Sequence, residues 1–159
     1  MRYLGSICLC LCLISCSNSK YGAHPPFPVS GQVLVNGQPA KGVRLVFYHL
    51  GDWGDKERAI VPQAWTEEDG SFVVETYSTK DGAPAGDYRV TAEWPAYRHG
   101  KHWGPDKFGN KYAKAETSGL TAHVEKGTNK LPPFELTISA AQAKKNEAVL
   151  AQQQRKRSK

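Results

Sequence analysis

Cysteine is missing from residues 17–159: all four, Cys8, Cys10, Cys12 and Cys16, fall within the first sixteen positions. No internal disulfide can therefore brace the rest of the chain, and a domain there must be held by its core. The one long apolar stretch, about Leu4 to Ile14, is too short for a spanning helix, which needs about 20 apolar residues. Catalytic signatures are also missing. No G-x-S-x-G, H-E-x-x-H or P-loop pattern occurs, so the usual marks of serine hydrolases, zinc peptidases and nucleotide-binding enzymes are absent. The expectation is a protein that is not an enzyme and needs no cofactor.

Charge is the next feature in short supply, once it is divided along the chain. The formal net charge of +6 comes from 21 Lys and Arg against 15 Asp and Glu. Arg2 stands at the front, and Lys144, Lys145, Arg155, Lys156, Arg157 and Lys159 stand in the tail against Glu147. Fourteen basic residues then face fourteen acidic ones between Cys16 and Ala143. A nucleic-acid-binding domain carries a basic face in its body, so no nucleic-acid partner is expected.

What is present begins with MRYLGSICLCLCLISC. A cation, a short apolar run and a small residue before Cys16 describe a secretory signal, residues 1–15. Leu13, Ser15 and Cys16 resemble the bacterial lipobox, in which the cysteine thiol takes a diacylglyceryl group. The resemblance implies lipidation at Cys16 and a membrane partner held through two acyl chains, at about 0.8 kcal/mol per buried methylene. An ordinary secretory signal containing cysteines is the alternative. Ser17, where proteobacterial sorting would place Asp to retain a lipoprotein on the inner membrane, points to the outer one. The expected localisation is the bacterial cell envelope, lipid-anchored, on its periplasmic or surface face. Residues 16–28, polar and proline-rich through SNSKYGAHPPFP, read as an extended tether.

From residue 29 to 138 the pattern is short β-runs between turn signals: VSGQVLV, GVRLVFY, RAIVPQAWT, SFVVET, GDYRVTAEW, SGLTAHV and LPPFELTI. Asn36-Gly37 is a type I′ hairpin signal, and Pro62 marks an edge or a bulge. Seven such runs predict an all-β fold, a seven-stranded antiparallel Greek-key β-sandwich. Residues 139–159 are rich in Ala, Gln, Lys and Glu, good helix formers. With only Val149 and Leu150 large and apolar, they predict a solvated helix fraying into a basic tail, or a polybasic arm on anionic lipid.

The turns and strand entries carry a resemblance. Gly31, Val33, Gly37, Pro39, Gly42, Val43 and Leu45 fit the first hairpin of carboxypeptidase regulatory-like domains, within the transthyretin-like (prealbumin-like) group. Thr66, Asp69, Gly70 and Phe72 resemble that family's strand entry, and Gly86, Tyr88, Val90 and Ala92 its Gly-x-Tyr strand. The closing stretch from Lys111 to Thr137, KYAKAETSGLTAHVEKGTNKLPPFELT, is similar to the ending of small exported lipoproteins of planctomycete-like bacteria. The resemblance implies the sandwich fold and says little about function. Tyr88 also suits a corner residue that hydrogen-bonds backbone at a strand end. The transthyretin-like group includes 5-hydroxyisourate hydrolase, which ends in Tyr-Arg-Gly-Ser where this sequence reads RKRSK. A small-ligand carrier or hydrolase remains the alternative, and a cluster of His, Arg and Ser in one pocket would favour it.

The candidate site is the one long loop, residues 95–116. It interleaves Tyr97, His99, His102, Trp103, Phe108 and Tyr112 with Arg98, Lys101, Lys107, Lys111 and Lys114. Aromatics among cations suit a surface that stacks on sugar rings or grips an anionic polymer. Tyr97, Arg98, His99, Lys101, His102, Trp103 and Phe108 are the candidate contacts for an envelope protein or glycan. The same aromatics can instead cover the sandwich edge while the lysines stay solvated. His99 and His102 form an H-x-x-H pair without further ligands in reach. Asp52 and Asp55 flank Trp53 without the spacing of a calcium loop, so no metal site is expected.

Overall fold

Asn36 and Gly37 set the first corner. Both have positive φ, 50° and 77°, as a type I′ turn requires, and Val35 pairs with Gln38 across them. The computed structural model describes residues 24–51, 61–99 and 102–157. The leader, Cys16, the first part of the tether, Asp52, Asp55 and Lys101 lie outside the described residues.

In chain order the strands are β1 (Pro26–Phe27), β2 (Val29–Val35), β3 (Gln38–Pro39), β4 (Arg44–His49), β5 (Gln63–Trp65), β6 (Ser71–Val73) and β7 (Ala83–Pro84). They continue with β8 (Gly86–Glu93), β9 (Arg98–His99), β10 (His102–Trp103), β11 (Leu120–Val124), β12 (Asn129–Lys130) and β13 (Phe134–Leu136), before helix α1 (Ala140–Arg157). All seven expected runs contain a strand. One sheet has the order β11-β8-β4-β5 and is antiparallel throughout. The second is built around β2, with β3 and β6 antiparallel to it and β12 and β13 parallel.

The parallel pairs depart from the antiparallel expectation, and connectivity explains them. Strand β11 runs antiparallel to β8 and ends at Val124 beside Gly86. The chain crosses to the second sheet at that end, through a turn at Gly127 with φ 114°. It must then run in the direction of β2, which starts at the same end: Asn129 pairs with Val29.

The two sheets share one core. Val33, Val35, Phe72 and Leu136 from one meet Leu45, Phe47, Tyr88 and Val90 from the other, all buried. Phe47 and Phe72 pack across the interface at 6.4 Å between centroids. Each such side chain contributes about 1.5–3 kcal/mol on burial, which is how a chain without disulfides holds together. Polar groups inside are paired. The Tyr88 hydroxyl donates to the Pro84 carbonyl at 2.6 Å, the expected corner, and burial pushes the phenol well above its ordinary value. Gly70 has φ 73°, and a Cβ there would sit 2.5 Å from the Val33 carbonyl oxygen, so both backbone and space demand glycine.

Two edges of the domain differ from expectation. Residues 24–28 do not stand off as a tether: β1 pairs with β7, and the Tyr77 hydroxyl donates to the His24 carbonyl at 3.1 Å. The C-terminal helix forms as composition suggests, capped by Ser139, whose Oγ accepts from the Gln142 amide at 3.2 Å. It docks through side-chain amides where an apolar stripe is lacking. Asn146 Nδ2 donates to the Lys107 carbonyl at 3.0 Å, and Gln142 lies over Gly109, where a Cβ would come within 2.7 Å of its Oε1. Among the described residues no helix is long and apolar enough to cross a membrane.

Candidate binding site

The 95–116 segment is ordered by its own backbone. Beyond β8, Lys107 N donates to the Trp94 carbonyl (2.8 Å), Ala96 N to Pro105 (2.9 Å) and Gly104 N to Tyr97 (2.8 Å). Pro95 bridges Asp106. The β9–β10 pair carries on these rungs, so residues 94–99 and 102–107 form the two arms of a long hairpin. Asp106 fastens its base, with Oδ1 accepting from Trp94 N at 2.8 Å and Phe108 N at 3.1 Å, and Oδ2 from Asn110 N at 2.8 Å.

Register then decides which side chains meet. Arg98 is opposite Trp103, and opposed residues in an antiparallel pair share a face. That face turns to the sheet. The Arg98 guanidinium lies 3.7 Å over the Trp65 ring and 5.9 Å from Trp103. The two indoles meet edge to face at 5.3 Å and 83°. Arg44, opposite Trp65 in the β4–β5 ladder, reaches 5.2 Å from Trp103. It is held by Glu93 Oε2 (3.4 Å) and Gln63 Oε1 (3.2 Å). Two tryptophans and two arginines from four strands thus form one surface, with Trp103 43% exposed.

The other candidates are placed as follows. Tyr97 is half-buried and packs on Gly104, where a Cβ would sit 2.6 Å from its ring. His102 is exposed and stands opposite His99 in register. Phe108 is not a surface contact. It is buried in the core with Tyr112, 5.2 Å from that ring and 5.6 Å from Trp94, because Asp106 turns the chain inward there. Lys107 extends over Trp94, 4.1 Å from its centroid, and burial pushes its ammonium below the ordinary lysine value. Trp65 and Arg44 were missed in the sequence. Their only local signal is alternation, with Ala64 and Leu45 turned inward beside them.

Elsewhere, a groove of about 510 Å³ follows the β11 edge over Tyr88, Ala122, Leu131 and Phe134. At its rim His123 Nδ1 lies 2.6 Å from Asp87 Oδ1, a hydrogen bond that raises the imidazole above its usual value. Its described lining has this histidine but neither Arg nor Ser. Among the described residues no three His, Cys, Asp or Glu side chains converge as metal ligands.

No protein-family model matches the chain, and no curated protein matches it. Solved structures with similarity include a DUF3823 family protein from Parabacteroides merdae, 17% identical over 72% of this chain and 47% of that one, with a TM-score of 0.40. A second DUF3823 protein, from Bacteroides ovatus, is 13% identical over 67% and 44%, with a TM-score of 0.36. The chain spans about half the length of these two proteins. The dioxygenase domain of a dioxygenase–carbohydrate-binding protein fusion from Streptomyces sp. SirexAA-E is 19% identical, over 76% of this chain and 85% of that one, with a TM-score of 0.41.

Proposed function

We propose that this chain is a non-catalytic, lipid-anchored cell-envelope protein, a carboxypeptidase regulatory-like Greek-key sandwich that binds an envelope glycan through the 94–107 hairpin. The observation that carries this reading is the Trp65–Trp103–Arg98–Arg44 surface. Indole faces and edges offer apolar contact to sugar C–H groups, while guanidinium groups offer donors to hydroxyl or carboxylate oxygens. A protein partner is the lesser reading. Among the described residues, exposed large apolar side chains are spread over Tyr48, Leu50, Val73 and Trp103, whereas a protein interface core is contiguous and depleted of charge.

The test is glycan-array screening of the full-length protein in detergent, followed by titration of the best ligand against Trp103→Ala. The expectation is saccharide binding that weakens about 10-fold or more, about 1.4 kcal/mol. Unchanged affinity in the variant, or capture of no saccharide, would defeat the proposal.

A further inference from the structure

A second feature adjoins the platform. Strands β5 and β6 are joined at both ends of their contact but not between. Gln63 and Glu75 exchange two backbone bonds (2.9 and 2.8 Å), and Glu67 N donates to the Ser71 carbonyl at 2.8 Å. In that register Trp65 stands opposite Val73, yet β5 pairs only with β4 and β6 only with β2.

Alternation tells where the peptide groups point. Toward β4 go the Pro62 carbonyl and both groups of Thr66; toward β2 go the Gly70 carbonyl and Val74 N. The intervening residues, Trp65 and Val73, turn their N–H and C=O toward each other. The strands part there into a cleft of about 250 Å³. Its floor is Ala64 and Phe72, one wall is Trp65, and Glu67, Glu75 and Lys80 stand at its rim.

We infer that this cleft is the subsite for the terminal sugar residue of the glycan, an inference resting on the glycan-binding reading of the adjoining surface. Three features carry it. The volume lies just below the ~300–1,000 Å³ of pockets for drug-sized ligands, which suits one sugar ring. The lining sets an apolar floor and an indole among carboxylates, an ammonium and two peptide groups, donors and acceptors together, as a neutral polyhydroxylated ring requires. The cleft is also bounded at both ends by the Gln63–Glu75 and Glu67–Ser71 bonds, with room between them for one ring. Only a chain end enters, and the following residues leave over Trp65 toward Trp103. The protein thus recognises glycan termini.

The experiment uses full-length ¹⁵N-labelled protein in detergent, titrated with neutral cello-, malto- and chito-tetraoses. Each is supplied free, with its non-reducing end methylated, or with its reducing end opened by borohydride. The reporters are the Trp65 and Trp103 indole N–H and the Val73 amide. Shifts at all three with one free sugar, and affinity falling 10-fold or more when one of its ends is modified, are expected. Thr79→Trp, placed at the exposed rim to plug the mouth, should remove the Val73 response and the end dependence. Glu67→Ala should weaken binding without altering the spectrum elsewhere. Shifts confined to Trp103, indifferent to both end modifications, would overturn the cleft subsite and leave the surface reading standing. No shift anywhere would overturn both.

Discussion

Thr66 shows how much one hydroxyl can organise. It is one of three buried polar side chains among the described residues, with Thr91 and Ser118. Its Oγ1 donates to the Ala40 carbonyl at 2.6 Å and accepts from Val43 N at 2.8 Å, so it pins both sides of the bend at Gly42. Thr66→Val keeps the shape and strands both backbone groups, at a cost of about 1–3 kcal/mol each way the group is left unmade. The expected outcome is a lower denaturant midpoint with an unchanged slope, read by urea titration of tryptophan fluorescence. That Thr66 belongs to a strand entry was legible in TEEDG; that its hydroxyl reaches 26 residues back to Ala40 was not. Trp65 teaches the same lesson at the site. Its outward direction follows from alternation, but its neighbours Arg98 and Trp103 arrive from a hairpin more than 30 positions away.

At the scale of elements, the 94–107 hairpin depends on a side chain outside its own strands. Asp106 accepts three backbone N–H groups, and bonds to a charged acceptor contribute about 1.5–3 kcal/mol each. Asp106→Ala should therefore free the hairpin while the two sheets, paired independently of it, stay folded. Amide exchange is the measurement: faster exchange at Ala96, Gly104 and Lys107, with β4 and β8 unchanged, is expected. Uniform acceleration would mean that the hairpin and core form one cooperative unit. Length and polarity marked residues 95–116 as a loop, since β9 and β10 are only two residues each and present no apolar period. The helix contrasts with it: composition was enough to foresee α1, but not the amides of Gln142 and Asn146 that dock it.

The whole molecule has two tasks under the proposed reading, anchorage through Cys16 and recognition through the hairpin surface. Intact-mass analysis of the N-terminal peptide from native membranes tests the first. Acylation of Cys16, with Cys16→Ala releasing the protein to the soluble fraction in a folded state, is expected; an unmodified N-terminus in the wild type would contradict the anchor. Because the described core is built from residues between Val29 and Leu136, the variant should keep its circular dichroism spectrum and its glycan affinity. Loss of both would tie anchorage to folding.

Alternation, turn residues and composition were enough by themselves to determine the all-β class, the seven main strands, the Asn36-Gly37 corner, the Tyr88 corner and the terminal helix. These are local properties: period two, positive φ and helix propensity each act within a few residues. Tertiary structure alone decided that β12 and β13 run parallel to β2, that Phe108 goes inward, that residues 24–28 join the domain, and that Arg44 and Trp65 meet Arg98 and Trp103. Those outcomes depend on which end of the sandwich a connection leaves and which strand lies beside which, and distant segments settle that only when they share one core.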